Sequence, residues 1–164
     1  MNAIDLLKAQ HQKTKDALEE MIENEDMDPQ ELRLIADELV AHMVIEEHVF
    51  YPRVKELDED LIVESFEEHA VARFELGRVM IAKNDEEKKA RLNVLKELVE
   101  HHIEEEETEL LPKVRARIPT KELEALGEKM EMLFDKACDA GLEKLVVSSD
   151  QSLRRSNGRS ALAR

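Results

Sequence analysis

Displaced by sixty positions, residues 32–52 fall on residues 92–112. Leu32 meets Leu92, Ile35 meets Leu95, Leu39 meets Val99, His42 meets His102, Glu46 meets Glu106 and Pro52 meets Pro112. Displaced by fifty-eight, Ile4 meets Ile62, His11 meets His69 and Leu18 meets Leu76. The matched positions recur in steps of three and four, the period of one face of an α-helix. A chain built this way is two related helical hairpins. Each carries a lone His on its first helix and a His-x-x-x-Glu on its second. Such hairpins bury their apolar faces against each other, which predicts an all-α fold: an up-down four-helix bundle.

The spacing predicts the first helix over about Ile4 to Glu25, with Ile4, Leu7, His11, Leu18 and Met21 inward. Asp28-Pro29-Gln30-Glu31 reads as an N-cap, a first-turn proline and an early acid, opening a second helix that runs to about Leu57. Pro52 is expected to kink or end it. A third helix is expected over Asp60 to Lys83, with Ile62, Phe66, His69, Leu76 and Met80 as its inward stripe. A fourth is expected over Glu86 to Arg115. A fifth C-terminal helix, from about Thr120 to Ala140, carries Leu123, Leu126, Met130 and Leu133 and can stop at Gly141. From Ser148 the pattern is lost in a Ser- and Arg-rich stretch, so residues 1–146 are expected to form the helical domain and 147–164 a tail.

Composition narrows the function. The chain is 42% hydrophobic and 38% charged with four Gly and no Trp, a balance suited to long helices with charged outer faces. A net charge of −15 argues against nucleic acid or an anionic membrane as partner. No apolar run approaches a membrane span. The first residues lack a basic region followed by an apolar stretch, and Cys138 has no second cysteine to pair with. Both point to a cytoplasmic location.

Residues four apart on a helix share a face, about 6 Å apart along the axis. His42 and Glu46 therefore point together, as do His102 and Glu106. All four stand where a helix that only packs would have Leu or Val. A carboxylate buried without a partner is costly, and two in one small core also repel each other. The inward stripes carry no basic residue near this layer except Arg73 on the third helix. A metal pair meets the need. Two ferrous ions bring about +4 against two carboxylates and a bridging hydroxide. Imidazole with carboxylate suits iron, although zinc or manganese would also accept such a set. On this reading His11 and His42 serve one ion, His69 and His102 the other, and Glu46 and Glu106 are shared.

Among neighbouring residues, His101 competes with His102 through His101-x-x-x-Glu105, but the repeat favours His102. His48 is expected on the surface. Glu47, Glu104, Glu105 and Glu107 are expected to be solvated or to sit just outside the ligand set. Glu38, one turn before His42, is either such a neighbour or an edge residue. Tyr51 falls about 180° from His42 on an unbroken helix, so it is not proposed as a ligand. Arg73 either pairs with an acid beside the site or extends outward, with the second favoured.

The whole pattern resembles the hemerythrin-like, or HHE, cation-binding domain family. The resemblance rests on His11; on His42-Met43-Val44-Ile45-Glu46 leading to Phe50-Tyr51-Pro52; on His69; and on His102-Ile103-Glu104-Glu105-Glu106 leading to Leu110-Leu111-Pro112. It implies a non-haem di-iron protein with a bridging oxo or hydroxo group, binding or reacting with dioxygen, hydrogen peroxide or nitric oxide. Oxygen-carrying members resemble His-x-x-x-His on the third helix and His-x-x-x-x-Asp on the fourth. Here those positions read His69-x-x-x-Arg73 and His102-x-x-x-Glu106. With one imidazole fewer, the two irons are expected to be nearly alike, and to favour oxidation or reduction of the small molecule over reversible oxygen carriage. An iron-sensing or iron-storing module whose folding is controlled by metal is the alternative.

Overall fold

The computed structural model describes residues 1–23 and 28–141. Glu25, at the expected end of the first helix, lies outside the described residues. So do the expected domain boundary at 146 and the tail at 147–164. Among the described residues every regular element is helical. Helix α1 spans Ala3–Glu23 and α2 spans Pro29–Ile45. A π turn, Glu46–Phe50, joins α2 to the short α3, Tyr51–Val54, and a 3₁₀ turn, Lys55–Leu57, ends that arm. Helix α4 is Glu59–Met80 and α5 is Asp85–Glu105. A second π turn, Glu106–Leu110, joins α5 to α6, Leu111–Arg117, and α7 is Thr120–Ala140. This is the up-down four-helix bundle with a fifth helix. Helix α4 packs along α5, and α7 packs against both α1 and α2.

Local chemistry sets the helix ends. The Asp28 side chain accepts from the Gln30 N–H at 2.8 Å, with Pro29 in the first turn, as the sequence indicates. Asn84 caps α5 by accepting from the Glu87 N–H at 2.8 Å. Gly141 closes α7 with φ at 70°, where a side chain would clash. Gly127 serves a different need. A Cβ there would stand 2.2 Å from the Met1 carbonyl oxygen, so only glycine lets the start of the chain lie against α7.

Two apolar clusters fill the interior. One joins Leu18, Met21, Leu39, Met43, Leu76, Leu92 and Val99. The other joins Ile4, Leu7, Ile45, Phe50, Ile62, Leu110 and Val114. Along α1 and α4 the histidine lies between the residues given to one cluster and those given to the other. The polar layer is thus sandwiched between two dry halves of the core. Phe66 departs from the expected stripe. It is 41% exposed on the outer side of α4, its ring meeting Tyr51 edge-on at 5.5 Å.

The prolines do not stop their helices. Pro52 and Pro112 each stand second in the α-helical segment that follows a π turn. There the backbone N–H of Tyr51 reaches back to the Glu46 carbonyl, and that of Leu111 to the Glu106 carbonyl. A proline lacks its own N–H and its ring crowds the carbonyl four residues before it; a wider turn relieves both problems. The same device recurs sixty residues later, so the repeat extends to backbone geometry.

Candidate metal centre

His11, His42, His69, His102, Glu46 and Glu106 are all buried and converge in one layer. Glu46 stands between two imidazole pairs. Its Oε1 lies 3.1 Å from His42 Nε2 and 3.7 Å from His11 Nε2, while its Oε2 lies 3.3 Å from His69 Nε2. Glu106 does likewise, with Oε2 3.5 Å from His11 Nε2 and 4.0 Å from His102 Nε2. His69 and His102 bring their Nε2 atoms within 3.1 Å of each other. Two groupings have metal-ligand proximity here, His11–His42–Glu46 and Glu46–His69–His102, with Glu46 common to both.

Every outer imidazole nitrogen is engaged. His11 Nδ1 donates to Glu107 at 2.9 Å, His42 Nδ1 to the Gln10 side-chain oxygen at 2.8 Å, His69 Nδ1 to Glu47 at 2.9 Å, and His102 Nδ1 to Glu68 at 2.8 Å. A carboxylate or amide oxygen only accepts, so each Nδ1 carries a proton, and a ring that is neutral presents its Nε2 lone pair inward. In the interior the opposite holds. His11 Nε2, His42 Nε2 and all four carboxylate oxygens of Glu46 and Glu106 are buried without a hydrogen-bond partner. Buried polar atoms are rarely left so. Lone pairs and anionic oxygens converging on one volume call for cations, and this donor set fits a metal.

Without metal, protons take part of that role. Burial depresses His11, but Glu106 and Glu46 outweigh it and raise its pKa to about 10. His69, depressed by burial, is raised to about 9 by Glu46 and Glu47. Burial lowers His42. Glu46 is held well below the usual carboxylate range by His42, His11 and His69, against the opposing effect of its burial.

Several neighbours differ from expectation. Tyr51 is buried, with its hydroxyl 3.5 Å from His69 Nε2. The π turn inserts one residue relative to an α-helix and swings everything beyond it by about 100°. A residue expected on the far face is thereby brought to the site. Burial, then Glu106 and Glu46, raise its pKa well above the ordinary value, so the phenol keeps its proton. Arg73 does not extend outward: its guanidinium donates to Glu47 at 2.7 Å, on the same oxygen that receives the His69 proton. Glu38 pairs with Lys13 at 2.7 Å on the surface, away from the histidines.

Glu47 and Glu107 stand behind inward histidines, just outside the six inward residues, the second of the two placements expected for them. Gln10 and Glu68 are partners that the sequence reading missed. Residue types and helix positions give no hint of them, because the pairs form between helices. His101 is 62% exposed and reaches toward Glu68 and Glu105, while His102 faces inward. His48 is exposed. The Cys138 thiol is pushed up to about 11 by burial and by Glu38 and its acidic neighbours, which leaves little thiolate.

A small cavity of about 20 Å³ adjoins the layer, lined by the histidines and by Thr14, Leu39, Met43, Ala72, Val99 and Ile103. No helix is long and apolar enough to cross a membrane among the described residues.

Comparison with known proteins agrees with this geometry. No functionally curated protein matches the chain. The structure is similar to that of a hemerythrin HHE cation binding domain-containing protein from Mycobacterium kansasii, with a TM-score of 0.74 and 25% sequence identity over 85% of this chain and 89% of that one. The family model of the hemerythrin HHE cation binding domain matches residues 2–114, which include all six inward-facing His and Glu residues, and the chain therefore belongs to that family.

Proposed function

We propose that this layer holds two iron ions. His11 and His42 ligate one, His69 and His102 the other, and Glu46 and Glu106 are shared. The observation that carries this reading is the division of labour across each imidazole. Every Nδ1 is tied to an acceptor, while the inner nitrogens and carboxylate oxygens face one another with too few protons among them. Outer hydrogen bonds of this kind orient metal-binding histidines and raise their basicity. Mixed imidazole and carboxylate donors suit iron.

Bound there, the ions would supply the electrons with which dioxygen, hydrogen peroxide or nitric oxide reacts. The chain supplies the selection and the surroundings. A cavity of about 20 Å³ has room for roughly one water-sized molecule, so the reading favours diatomic molecules and peroxide over anything larger. Opposite the imidazoles and Glu68 its wall is formed by Leu39, Met43, Ala72, Leu98, Val99 and Ile103, which offer passing water no hydrogen bond. Tyr51 holds a proton on its hydroxyl at the edge of the site, near His69. At position 73, where the family's oxygen carriers place another imidazole, Arg73 instead neutralises Glu47, the carboxylate behind His69.

One observation weighs against the alternative, an iron-sensing or iron-storing module whose folding is controlled by metal. In the metal-free layer, protonated His11 and His69 offset much of the carboxylate charge. Optical spectra test the reaction. Protein loaded with ferrous iron under nitrogen is expected to be nearly colourless and to gain near-ultraviolet absorption on adding hydrogen peroxide, in proportion to bound iron. A spectrum indifferent to peroxide, dioxygen and nitric oxide in iron-loaded protein would overturn the proposed reactivity.

A further inference from the structure

Helix α4 is apolar on the side that faces away from the bundle. Its buried residues, Leu61, Ile62, Ser65, His69, Ala72, Glu75, Leu76 and Val79, form one face. Opposite them Val63, Phe66, Ala70, Phe74, Gly77 and Ile81 recur in steps of three and four, within an arc of about 80°. These outward residues are solvent-exposed: Phe74 at 70%, Ile81 at 75% and Val63 at 54%. On a surface helix this is the side that normally carries charge. The stripe runs five turns, about 27 Å at 1.5 Å per residue. Isolated surface hydrophobes need no explanation, but a continuous stripe marks an interaction site.

Gly77 points the same way. A glycine inside an exposed helix costs about 1 kcal/mol relative to alanine. Among the described residues nothing requires it, because a Cβ added there meets no atom within 4 Å. What Gly77 and Ala70 do provide is a low point on the stripe between larger side chains.

Charge identifies the occupant. The exposed acids of α4, Glu59, Asp60, Glu64 and Glu67, gather in its N-terminal half, whereas Arg78 and then Lys83 stand at the other end. Among the described residues Asp60, Glu64 and Glu67 make no ion pair, and the Arg78 guanidinium pairs with Glu75 on its own helix. A helix with an acidic start, a basic end and an apolar stripe between is complementary to itself when turned end for end. We propose that α4 is the interface of a two-fold homodimer, pairing antiparallel with the α4 of a second copy. Placing the axis beside residue 72 sets Phe74 of each copy over Ala70 of the other, Ile81 against Val63, and Glu67 beside Arg78. That is an isologous contact, closed after two copies. The stripe ends near the metal layer, since Phe66 contacts Tyr51. The interface nevertheless requires no metal.

Sedimentation of the full chain over a concentration series tests this. The expected result is a species of twice 18.9 kDa that is reduced to one chain by Phe74→Glu, with helical circular dichroism unchanged because the ring is exposed. Glu67→Arg and Arg78→Glu should each weaken the dimer at least tenfold, and the double variant should recover most of the loss, as only an antiparallel self-pairing allows. A monomer at all concentrations, or a dimer indifferent to Phe74→Glu, would overturn the proposal. So would a monomer that binds phosphatidylcholine vesicles through Phe74, which would give the stripe to a lipid surface.

Discussion

The four inward histidines differ in what stands behind them. His11, His69 and His102 each donate to a carboxylate, and His42 donates to the neutral amide oxygen of Gln10. A carboxylate behind an imidazole makes it the stronger donor, and loss of such a partner typically lowers metal affinity 10–100-fold. The two halves of the site, alike in their inner donors, are therefore unequal. Glu68→Gln is expected to weaken metal binding by about tenfold or more, and Gln10→Ala by less, as read by competition with a coloured chelator. Equal effects would contradict the ranking. The same measurement separates neighbouring histidines: His102→Ala should lose metal, while His101→Ala, at an exposed position outside the layer, should keep it. The six inward residues were legible in the sequence because intrahelical spacing and the repeat constrain them twice. Their outer partners were not. Gln10 and His42 lie 32 residues apart, and His11 and Glu107 lie 96 apart. Such pairs depend on how helices are rotated against each other, which no periodicity within one helix records.

At the scale of elements, the π turns decide where side chains point. Proline at 52 and 112 announces a disturbance, and the sequence allowed either a kink or a stop. The wider turn prevails because it keeps Phe50 and Tyr51 in the core, as it does Leu110 and Leu111 in the other hairpin. On an unbroken helix Tyr51 would sit on the far face from His42; the π turn is what brings its hydroxyl beside His69. Helix α7 makes a further demand. Gly127→Ala would put a methyl group into the backbone of residues 1–3, which cannot yield as a flexible side chain could. Overpacking of this kind costs about 1–3 kcal/mol. For a domain of this size the melting temperature should fall by roughly 2–4 °C per kcal/mol. A Gly127→Ala variant as stable as the parent chain would show that the N-terminal segment is not held against α7.

Over the whole molecule, stability, protons and metal are linked. His11 and His69 are raised in the metal-free fold to about 10 and 9 from an ordinary 6.5. A group raised on folding stabilises fully below its unfolded pKa and loses that contribution as pH rises through the folded value. Metal-free protein is thus expected to lose stability between about pH 6.5 and pH 10. His42, lowered by burial, acts in the other direction, and its contribution is lost as pH falls below 6.5. Metal-loaded protein, whose imidazoles are neutral ligands, should show a flatter profile above pH 6.5. Melting curves with and without chelator, taken across this range, check the difference. Parallel profiles for the two forms would contradict the linkage.

If one buried layer of four imidazoles and two carboxylates holds a pair of ions, anaerobic titration of metal-free protein with ferrous iron should end at two tightly bound irons per chain. The Glu46→Gln variant should retain fewer, because that carboxylate serves both imidazole pairs. A parent chain that binds one ion or none would contradict it.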